Sequence, residues 1–335
     1  MNRNPHVAVV GATGAVGIEM IKTLEKRNFP VGKLTLLASA RSVGKKLKFR
    51  GQEIAVTELT KDSFAGIDIA LFSAGGGISK EFAPIAAKAG CVVVDNSSVF
   101  RQDENVPLVV PEINPEDVKK HKGIIANPNC SAITALVPLW PIHRQNPIRR
   151  LIISTYQAAS GAGAAAMQEL LDSTRAFLDG KPFTQKIMPH PYAFNVFSHN
   201  TAIDPETGYN DEETKVINET KKIFEDDRIA ISATCVRVPV LRAHSEAITF
   251  ECERPITPEE VKALLAKAPG VRIVDDWASN YFPMPKDASG QGDVLAGRFR
   301  KDLSDPSGKS ISMFVAADQL LKGAALNAVQ IAELL

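Results

Sequence analysis

The chain has 335 residues, of which 44% are hydrophobic and 23% charged, and its 39 basic and 38 acidic residues leave a net charge of +1. This length suits two domains better than one core, and the balanced charge argues against nucleic-acid or membrane-surface binding, which usually needs a basic excess. It contains no apolar run of about 18 residues that would predict a membrane span, and its four cysteines show no CxxC spacing, so we expect a cytoplasmic protein without disulfides or a bound metal.

The N-terminus predicts a strand, a glycine-rich loop and a helix in succession. The short run "HVAVV" (His6–Val10) precedes "GATGAVG" at 11–17, and apolar residues at helical spacing follow. A dinucleotide-binding βαβ unit requires this order, because the glycines let the backbone approach a pyrophosphate and the helix N-terminus attracts the anion. The spacing is GxxGxxG rather than the usual GxGxxG, so a plain tight turn is the alternative to nucleotide binding.

The second predicted strand, "KLTLLAS" (33–39), ends without an acidic residue. NAD-binding folds commonly have an acid there, which binds the ribose 2′-hydroxyl. Here Arg41, Ser42 and two lysines follow instead, and such side chains suit a 2′-phosphate. We therefore expect NADP rather than NAD, with a solvated basic loop as the alternative.

Further strands are predicted at 67–74 and 91–98, with a glycine-led helix between them. This alternation predicts a parallel sheet with helices on both faces. Arg101 comes just after the fourth predicted strand, where the ligand-facing loops of such sheets lie. Arg101 is therefore a candidate ligand-binding residue, although a solvated arginine fits the sequence as well.

The stretch "NPNCSAIT" (127–134) places Cys130 between a turn and a predicted helix that continues until Pro138 ends or bends it. A helix N-terminus stabilises a thiolate, and lowering a thiol pKa by about 2 units from about 8.5 leaves most of the thiol ionised at neutral pH. Cys130 is therefore the candidate nucleophile. A small buried side chain is the alternative, and we favour that interpretation for the other three cysteines.

A nucleotide fold followed by this thiol predicts a dehydrogenase that forms a covalent adduct with an aldehyde or acyl group. The cysteine adds to the aldehyde, and hydride leaves for the nicotinamide. Water or phosphate then cleaves the thioester.

Two regions of the second half carry further polar candidates. Gln157 opens the small-residue loop "QAASGAG" between a predicted strand and a long helix, where it could orient a substrate or be a plain loop residue. Glu219 and Lys222 share one face of a predicted amphipathic helix, 211–226, and a surface ion pair is the alternative to a binding role.

A strand-like stretch, 233–252, is interrupted by Pro239 and contains Arg237 and His244. His244 is a candidate general base, because the unperturbed pKa of histidine lies near neutrality. The alternative is a structural histidine whose ring nitrogens are hydrogen-bonded within the fold. The sequence does not bring His244 close to Cys130.

Five motifs, "GATGAVG", "NPNC", "QAASGAG", "RVPVLRAHSE" and "KGAALNAVQIAE", together resemble the aspartate-semialdehyde dehydrogenase family along nearly the full chain. The cysteine and histidine motifs are specific, and the glycine loop is not. The resemblance implies an α/β fold with an N-terminal Rossmann-like dinucleotide-binding domain at 1–129, completed by a C-terminal helix at 318–335. It implies a second, α+β catalytic and dimerisation domain at 130–317 and a homodimer whose interface comes from this domain.

The implied reaction reversibly converts L-aspartate 4-semialdehyde, inorganic phosphate and NADP into L-4-aspartyl phosphate and NADPH. The biosynthetic direction consumes NADPH and feeds the synthesis of lysine through diaminopimelate, and of threonine, methionine and isoleucine. In this family pattern Cys130 attacks the substrate, His244 is the general base or acid, and Gln157 positions the substrate.

The remaining contacts also follow from the resemblance. Arg237 would bind the substrate's carboxylate, and Glu219 would bind its amino group. Arg101 and Lys222 would bind phosphate. The NADP site would be lined by ten residues: Gly11, Thr13, Gly14, Ala15, Val16, Arg41, Ser42, Ser160, Gly161 and Gln319. The family often has an asparagine at position 319, so the longer Gln319 is a departure from its pattern.

Three other functions fit parts of the pattern. N-acetyl-gamma-glutamyl-phosphate reductase shares the architecture, but its cysteine motif usually reads NPGCY rather than "NPNCS". A short-chain reductase or epimerase needs a tyrosine followed four positions later by lysine, and none of the four tyrosines meets this condition. A non-catalytic NADP-binding paralogue would have lost Cys130 or His244, and both are present.

Overall fold

The computed structural model describes residues 4–335. They divide into two compact units, with the boundary between Asn129 and Cys130. Cys130–Gly323 forms one unit, and the residues before it form the other together with Ala324–Leu335. We call these the C-terminal unit and the N-terminal unit, respectively.

The N-terminal unit alternates strands and helices along the chain. Its elements up to the boundary are β1 (His6–Val10), α1 (Ala15–Lys26), β2 (Lys33–Ala38), β3 (Lys46–Phe49), β4 (Gln52–Glu58), β5 (Ile69–Phe72), α2 (Gly76–Lys88), β6 (Val92–Asp95) and β7 (Ile124–Ala126). The strands form a sheet in the order β3-β4-β2-β1-β5-β6-β7, and its pairs are parallel except β3–β4. The parallel α/β sheet expected from the sequence is confirmed.

The edge hairpin β3–β4 is an addition to the expected alternation. Arg50 and Gly51 form its turn and have φ values of 49° and 76°. Two consecutive residues with positive φ form the tight turn whose twist matches that of a hairpin. The alternating polar and apolar residues on either side of Gly51 are the sequence signal for this hairpin.

The central strand β1 is buried on both faces. Val7 and Val9 pack in one apolar cluster, which includes Met20 of α1. Ala8 and Val10 point the other way and pack in a second cluster with α2. Successive side chains of a strand alternate between faces, so a continuous apolar run places this strand in the middle of the sheet.

The C-terminal unit is built on a second seven-stranded sheet, in which parallel and antiparallel pairs are mixed. Its elements are α3 (Cys130–Gln145), β8 (Ile148–Gln157), α4 (Ala164–Leu178), β9 (Phe197–Ser198), α5 (Asp211–Phe224), β10 (Ala230–Arg237), β11 (His244–Cys252), α6 (Pro258–Leu265), β12 (Val271–Ile273), α7 (Pro285–Ala288), β13 (Val294–Lys301) and β14 (Ser310–Ala317). The strand order is β12-β13-β14-β11-β8-β10-β9. The stretch around Pro239 is thus two strands, and β8 lies between them.

Helices cover one face of this sheet. α3 packs on β8, β11, β13 and β14 and contacts α5 and α6. On β8, Leu151 and Ile153 are buried beneath the helices, whereas Ile152, Ser154 and Tyr156 on the opposite face are partly or fully exposed. The opposite face is therefore open in the single chain.

α3 runs through Pro138 and Pro141 to Gln145, so Pro138 does not end the helix. A proline inside a helix removes one hydrogen bond and crowds the preceding turn. Here tertiary packing outweighs that cost, because every residue from Ser131 to Leu139 is buried. With 16 residues, α3 is the longest helix of residues 4–335, and none of the helices there has the length and apolar character needed to cross a membrane.

The chain rejoins the N-terminal unit at its end. A π-helical turn, Leu321–Ala325, leads into α8 (Leu326–Glu333). α8 contacts α1, and Arg27 donates two hydrogen bonds of 2.6 Å to the Glu333 carboxylate. The C-terminal segment therefore completes the core of the first unit.

Candidate active site

The glycine loop joins β1 to α1 and requires glycine for steric reasons. Gly11 has a φ of +83°, and a Cβ on it would overlap the main chain after β5. A Cβ on Gly17 would overlap the carbonyl oxygen of Gly11. α1 begins at Ala15 after Gly14, which supplies no side-chain cap, and Val16 packs against the core. The helix N-terminus therefore meets this loop without an intervening side chain, as an anion site requires.

The end of β2 reaches the same loop. The Thr13 Oγ1 lies 3.3 Å from the Ser42 Oγ, which belongs to the short 3-10 turn Ala40–Ser42. Ser42 is buried and Arg41 is exposed. The residues predicted for a 2′-phosphate therefore adjoin the residues predicted for the pyrophosphate.

Arg101 is buried rather than solvated. Its Nε donates to the Asn127 carbonyl oxygen at 2.9 Å, and its Nη2 donates to the Asn96 carbonyl oxygen at 2.7 Å. Asn96 follows β6 and Asn127 follows β7, so the guanidinium is fixed at the carboxyl ends of two parallel strands. This is the edge at which open α/β sheets bind ligands.

Cys130 is the first residue of α3, as expected from the turn before it, and is partly exposed. Cys91, Cys235 and Cys252 are buried free thiols. Burial raises the pKa of Cys91 and of Cys252 to about 12 and raises that of Cys235 as well. Those three thiols stay protonated at neutral pH, which leaves Cys130 as the candidate nucleophile.

The topology of the second sheet brings the other candidates to one edge. β8 and β10 run parallel and end at the paired residues Gln157 and Arg237. β11 runs antiparallel to β8 and begins at His244, which is paired with Ala317 at the end of β14. Side chains that are distant in the sequence therefore meet where these strand ends meet.

His244 is completely buried, and its Nδ1 accepts a hydrogen bond of 2.9 Å from the Ala158 N–H. A backbone N–H can only donate, so the neutral ring carries its hydrogen on Nε2. Within residues 4–335 this Nε2 has no hydrogen-bond partner. Burial, and then the charge of Arg237, lower the pKa of His244 to about 3, so the ring is a neutral N–H donor at pH 7.

Arg237 is fixed beside this histidine. Its Nη1 donates to the Ala158 carbonyl oxygen and its Nε to the Asn200 Oδ1, both at 3.3 Å. A Cβ on Gly161 would lie 3.1 Å from the His244 Cε1 and Nε2 and 3.3 Å from the Arg237 Nη1. Gly161, predicted as a cofactor contact, therefore borders the imidazole and the guanidinium.

Gln157 is the last residue of β8 and is buried, so it is not a plain loop residue. Its Oε1 accepts from the Thr155 hydroxyl at 3.0 Å, and its Nε2 donates to the Glu212 Oε1 at 3.2 Å. Glu212 lies in the first turn of α5 and was not indicated by any motif. Only the packing of α5 on the sheet places this carboxylate beside the amide.

Glu219 and Lys222 lie on α5, which begins with a capping box between Asn210 and Glu213. Glu219 is completely buried and Lys222 is partly buried. α5 packs on β10, the strand that ends at Arg237. A surface ion pair therefore does not account for Glu219.

Gln319 follows β14 and is buried. Its Oε1 accepts from the Ala243 N–H at 3.0 Å, and its Nε2 donates to the Ser160 hydroxyl. Ala243 precedes His244 and has a φ of +73°, which is unfavourable for a residue with a Cβ. The amide expected at the nicotinamide thus holds the main chain beside His244, and Ser160 is its second partner.

The structure adds two residues near this site that the sequence did not indicate, Gly323 and Glu246. Gly323 lies against Cys130. Glu246 lies on the same face of β11 as His244 and is completely buried, and neither of its carboxylate oxygens has a hydrogen-bond partner in the described part of the chain. Burial raises the pKa of Glu246 well above its usual range, because desolvation disfavours the charged form. No motif marks either residue.

The chemical groups of the C-terminal unit are a thiol at a helix start, a neutral imidazole, a buried guanidinium and several buried carboxyl groups. No group of three or more histidine, cysteine, aspartate or glutamate side chains within residues 4–335 is arranged to hold a metal ion. A helix-terminal thiol and an N–H donor are groups of the kind that nucleophilic attack on a carbonyl carbon uses.

Comparison with known proteins identifies the family. Residues 6–121 match the model of the semialdehyde dehydrogenase NAD binding domain, and residues 139–322 match that of the semialdehyde dehydrogenase dimerisation domain. The aspartate-semialdehyde dehydrogenase of Synechocystis sp. is 54% identical over 98% of this chain and 96% of its own length.

Solved structures of aspartate semialdehyde dehydrogenases are similar to this chain over nearly its full length. Aspartate semialdehyde dehydrogenase II from Vibrio cholerae, complexed with ASA, has a TM-score of 0.96 and 44% identity, covering 99% of this chain and 98% of that one. Aspartate semialdehyde dehydrogenase with NADP from Candida albicans has a TM-score of 0.74 and 27% identity, covering 99% of this chain and 98% of that one. The resemblance seen in the motifs is confirmed, and the chain belongs to the aspartate-semialdehyde dehydrogenase family, the oxidoreductases of amino-acid biosynthesis.

Proposed function

We propose that the protein interconverts L-aspartate 4-semialdehyde and L-4-aspartyl phosphate, using NADP and phosphate, through a thioester on Cys130. The main support is that one turn, Gln319–Gly323, touches both proposed catalytic groups. Gly323 lies against Cys130, and Gln319 holds the Ala243 N–H next to His244. The thiol and the imidazole are therefore tied to the same short segment.

The residues of the N-terminal unit fit a dinucleotide with a 2′-phosphate. Gly11 and Gly17 allow the close main-chain approach that a pyrophosphate needs, and α1 presents its N-terminus there. Arg41 and Ser42 follow β2, where an NAD-binding fold commonly has an acid. A related enzyme was solved with NADP, which supports the same choice for this chain.

In the biosynthetic direction the Cys130 thiolate attacks the acyl carbon of aspartyl phosphate. The C–S bond forms, and the bond from carbon to the phosphate oxygen breaks. When bound, NADPH supplies the hydride that reduces the resulting thioester. Collapse of the alkoxide re-forms the carbonyl, breaks the C–S bond and returns the thiolate, and the proton that the reaction consumes goes to the released phosphate.

His244 acts through its Nε2–H. Because Nδ1 accepts from Ala158, the ring offers a hydrogen bond to the substrate oxygen as negative charge develops there. The lowered pKa disfavours a resting imidazolium, so the ring works as a neutral donor. Such donors contribute on the order of 10²- to 10³-fold in rate.

The charged residues bind the substrate groups, and Gln157 orients the substrate. Arg237 binds the carboxylate, since a guanidinium matches a carboxylate with two parallel hydrogen bonds. Glu219 binds the amino group, and Arg101 and Lys222 bind phosphate. The positions of these residues support the roles. Arg101 is fixed at the carboxyl ends of β6 and β7, Arg237 ends β10, and α5, which carries Glu219, packs on β10.

The protein assembles as a homodimer through the C-terminal unit. The open face of its sheet carries Ile152, Tyr156 and Phe314 beside small polar residues, and the Tyr156 and Phe314 rings lie 6.1 Å apart. A partner on this face would bury them, and the matched family model is a dimerisation domain. All four cysteines are free thiols, which suits a reducing cytoplasm.

An assay of semialdehyde oxidation with the purified protein tests the proposal. NADPH should form from aspartate semialdehyde and NADP, formation should require phosphate, and NAD should be a poorer acceptor. Arsenate should replace phosphate, because its oxygen can also attack the thioester carbon and displace the Cys130 thiolate, and water then hydrolyses the acyl arsenate. Turnover without either anion would refute the phosphate step.

The semialdehyde of N-acetyl-glutamate is the matched control substrate. It should not be oxidised, because Glu219 is proposed to bind a free amino group that the acetylated substrate lacks. Preferential oxidation of the acetylated substrate would favour the alternative, N-acetyl-gamma-glutamyl-phosphate reductase.

A further inference from the structure

Gly323 makes the closest approach of any glycine to the proposed nucleophile. A Cβ on Gly323 would lie 2.7 Å from the Cys130 Cβ, 3.1 Å from the Cys130 Cα and 3.2 Å from the Gln319 Cβ. Carbon atoms in contact are normally about 3.5–4.0 Å apart. An added methyl group would therefore have to displace Cys130.

Cys130 cannot relieve this contact by a small local movement. The atoms in question are its Cα and Cβ, so a change of side-chain rotamer does not relieve the contact. The first turn of α3 is closed by a hydrogen bond of 2.9 Å from the Thr134 hydroxyl to the Cys130 carbonyl oxygen. Ala132 and Ile133 beyond it are completely buried. Relief requires that the helix start moves as a unit.

The local structure gives glycine no other reason to be at this position. Gly323 lies inside the π-helical turn Leu321–Ala325 and does not have a positive φ. Glycine at an interior helical position costs about 1 kcal/mol relative to alanine. Single π-helical turns often occur at functional sites. Here the space against Cys130 is what the missing side chain provides.

We propose that Gly323 is a positioning residue whose missing side chain sets the place of the Cys130 thiol. This inference rests on the proposed role of Cys130 as nucleophile. Gln319 lies in the same segment and bonds the Ala243 N–H beside His244. The segment Gln319–Gly323 therefore sets the distance between the thiol and the imidazole from both sides.

The Gly323→Ala variant tests this role. It should lower kcat by about ten- to a hundredfold, because small displacements of a reacting group have effects of this size. KM for the semialdehyde and Kd for NADPH should change less than kcat. The rate at which iodoacetamide alkylates Cys130 should change several-fold without any substrate present, and mass spectrometry of the modified peptide reports it.

Gly32→Ala is the matched control. A Cβ on Gly32 would lie 2.5 Å from the Asn4 carbonyl oxygen, a contact at least as severe but in the N-terminal unit. It should lower the thermal midpoint and leave the Cys130 alkylation rate unchanged. Wild-type kcat and alkylation rate in Gly323→Ala would overturn the proposal.

If Gly323→Ala is too unstable for kinetic assays, thermal unfolding of a second pair of variants, Cys130→Gly with and without Gly323→Ala, tests the same contact. In a Cys130→Gly background the clashing Cβ is gone, so Gly323→Ala should lose much less thermal stability than in a background with Cys130. An equal loss in both backgrounds would show that the contact is not the cause. Turnover by Cys130→Ala would instead refute the proposed role of Cys130 as nucleophile. The two proposals can fail separately, because neither the alkylation rates nor the thermal midpoints depend on turnover.

Discussion

The glycine loop of the N-terminal unit and the proposed reaction site of the C-terminal unit are built in different ways. The loop is one continuous stretch, 11–17, between β1 and α1. The reaction site takes Cys130 from α3, Gln157 from β8 and His244 from β11, and the turn after β14 completes it. One site is local in the sequence, and the other exists only after several strand ends of one sheet and a helix have come together.

This difference predicts that the two sites fail separately. A change in the loop region should alter cofactor affinity and leave the thiol reactive. A change in the C-terminal unit should stop the chemistry and leave cofactor affinity nearly intact. Three substitutions test the separation, from the largest expected effect to the smallest, and a fourth tests a buried carboxyl group of the C-terminal unit.

Cys130→Ala should lower kcat by on the order of 10⁴-fold or more, as removal of a covalent nucleophile does in other enzymes. NADPH binding, measured by fluorescence titration, should stay within about twofold of the wild type. Cys235→Ala is the matched control, since that thiol is completely buried and protonated. Substantial residual turnover in Cys130→Ala would rule out the thioester.

His244→Asn should lower kcat by about 10²- to 10³-fold, because it removes a donor to the developing oxyanion while its amide oxygen can still accept from Ala158. The wild-type pH profile is a second measurement. The pKa of His244 is lowered to about 3, so the ring does not change charge between pH 5 and 8. An acid limb near pH 6.5 that disappears in His244→Asn would contradict the neutral-donor role.

Arg41→Ala should weaken NADPH binding by about tenfold, or about 1.4 kcal/mol, and hardly change NADH binding. The effect is modest because Arg41 is exposed and solvent screens its charge. The alkylation rate of Cys130 should not change, which separates this variant from those in the C-terminal unit. Equal losses for both cofactors would mean that Arg41 does not bind the 2′-phosphate.

Glu246→Gln should raise the stability of the fold at pH values above the unfolded pKa of glutamate. Burial holds a proton on Glu246 that the unfolded chain releases there, whereas the amide titrates in neither state. The folded pKa of Glu246 is raised, so its contribution to stability is present below the unfolded pKa and is lost as pH rises towards the folded value. The difference in thermal midpoint between the variant and the wild type should therefore grow as pH rises above about 4.5. A difference that is independent of pH would mean that Glu246 does not titrate in this way.

Particular residues show how far the sequence could lead. The parallel sheet, the glycine loop and the start of α3 at Cys130 follow from patterns within short windows, and they are confirmed. The continuation of α3 through Pro138 contradicts local propensity, because burial against the second sheet outweighs the missing hydrogen bond. Gln157 reads as a loop residue and lies instead at a buried strand end, beside a carboxylate from a helix far along the chain.

The sequence by itself determined the parallel sheet of the first unit, the family and the candidate nucleophile, because apolar periodicity, turn chemistry and contiguous motifs act over a few residues. Only the tertiary structure decided which side chains face that thiol. The tautomer of His244, the raised pKa of Glu246 and the close contact of Gly323 with Cys130 all arise from the packing of segments that are distant in the sequence. Burial and close contact are properties of neighbours in space, and the linear order of residues does not contain them.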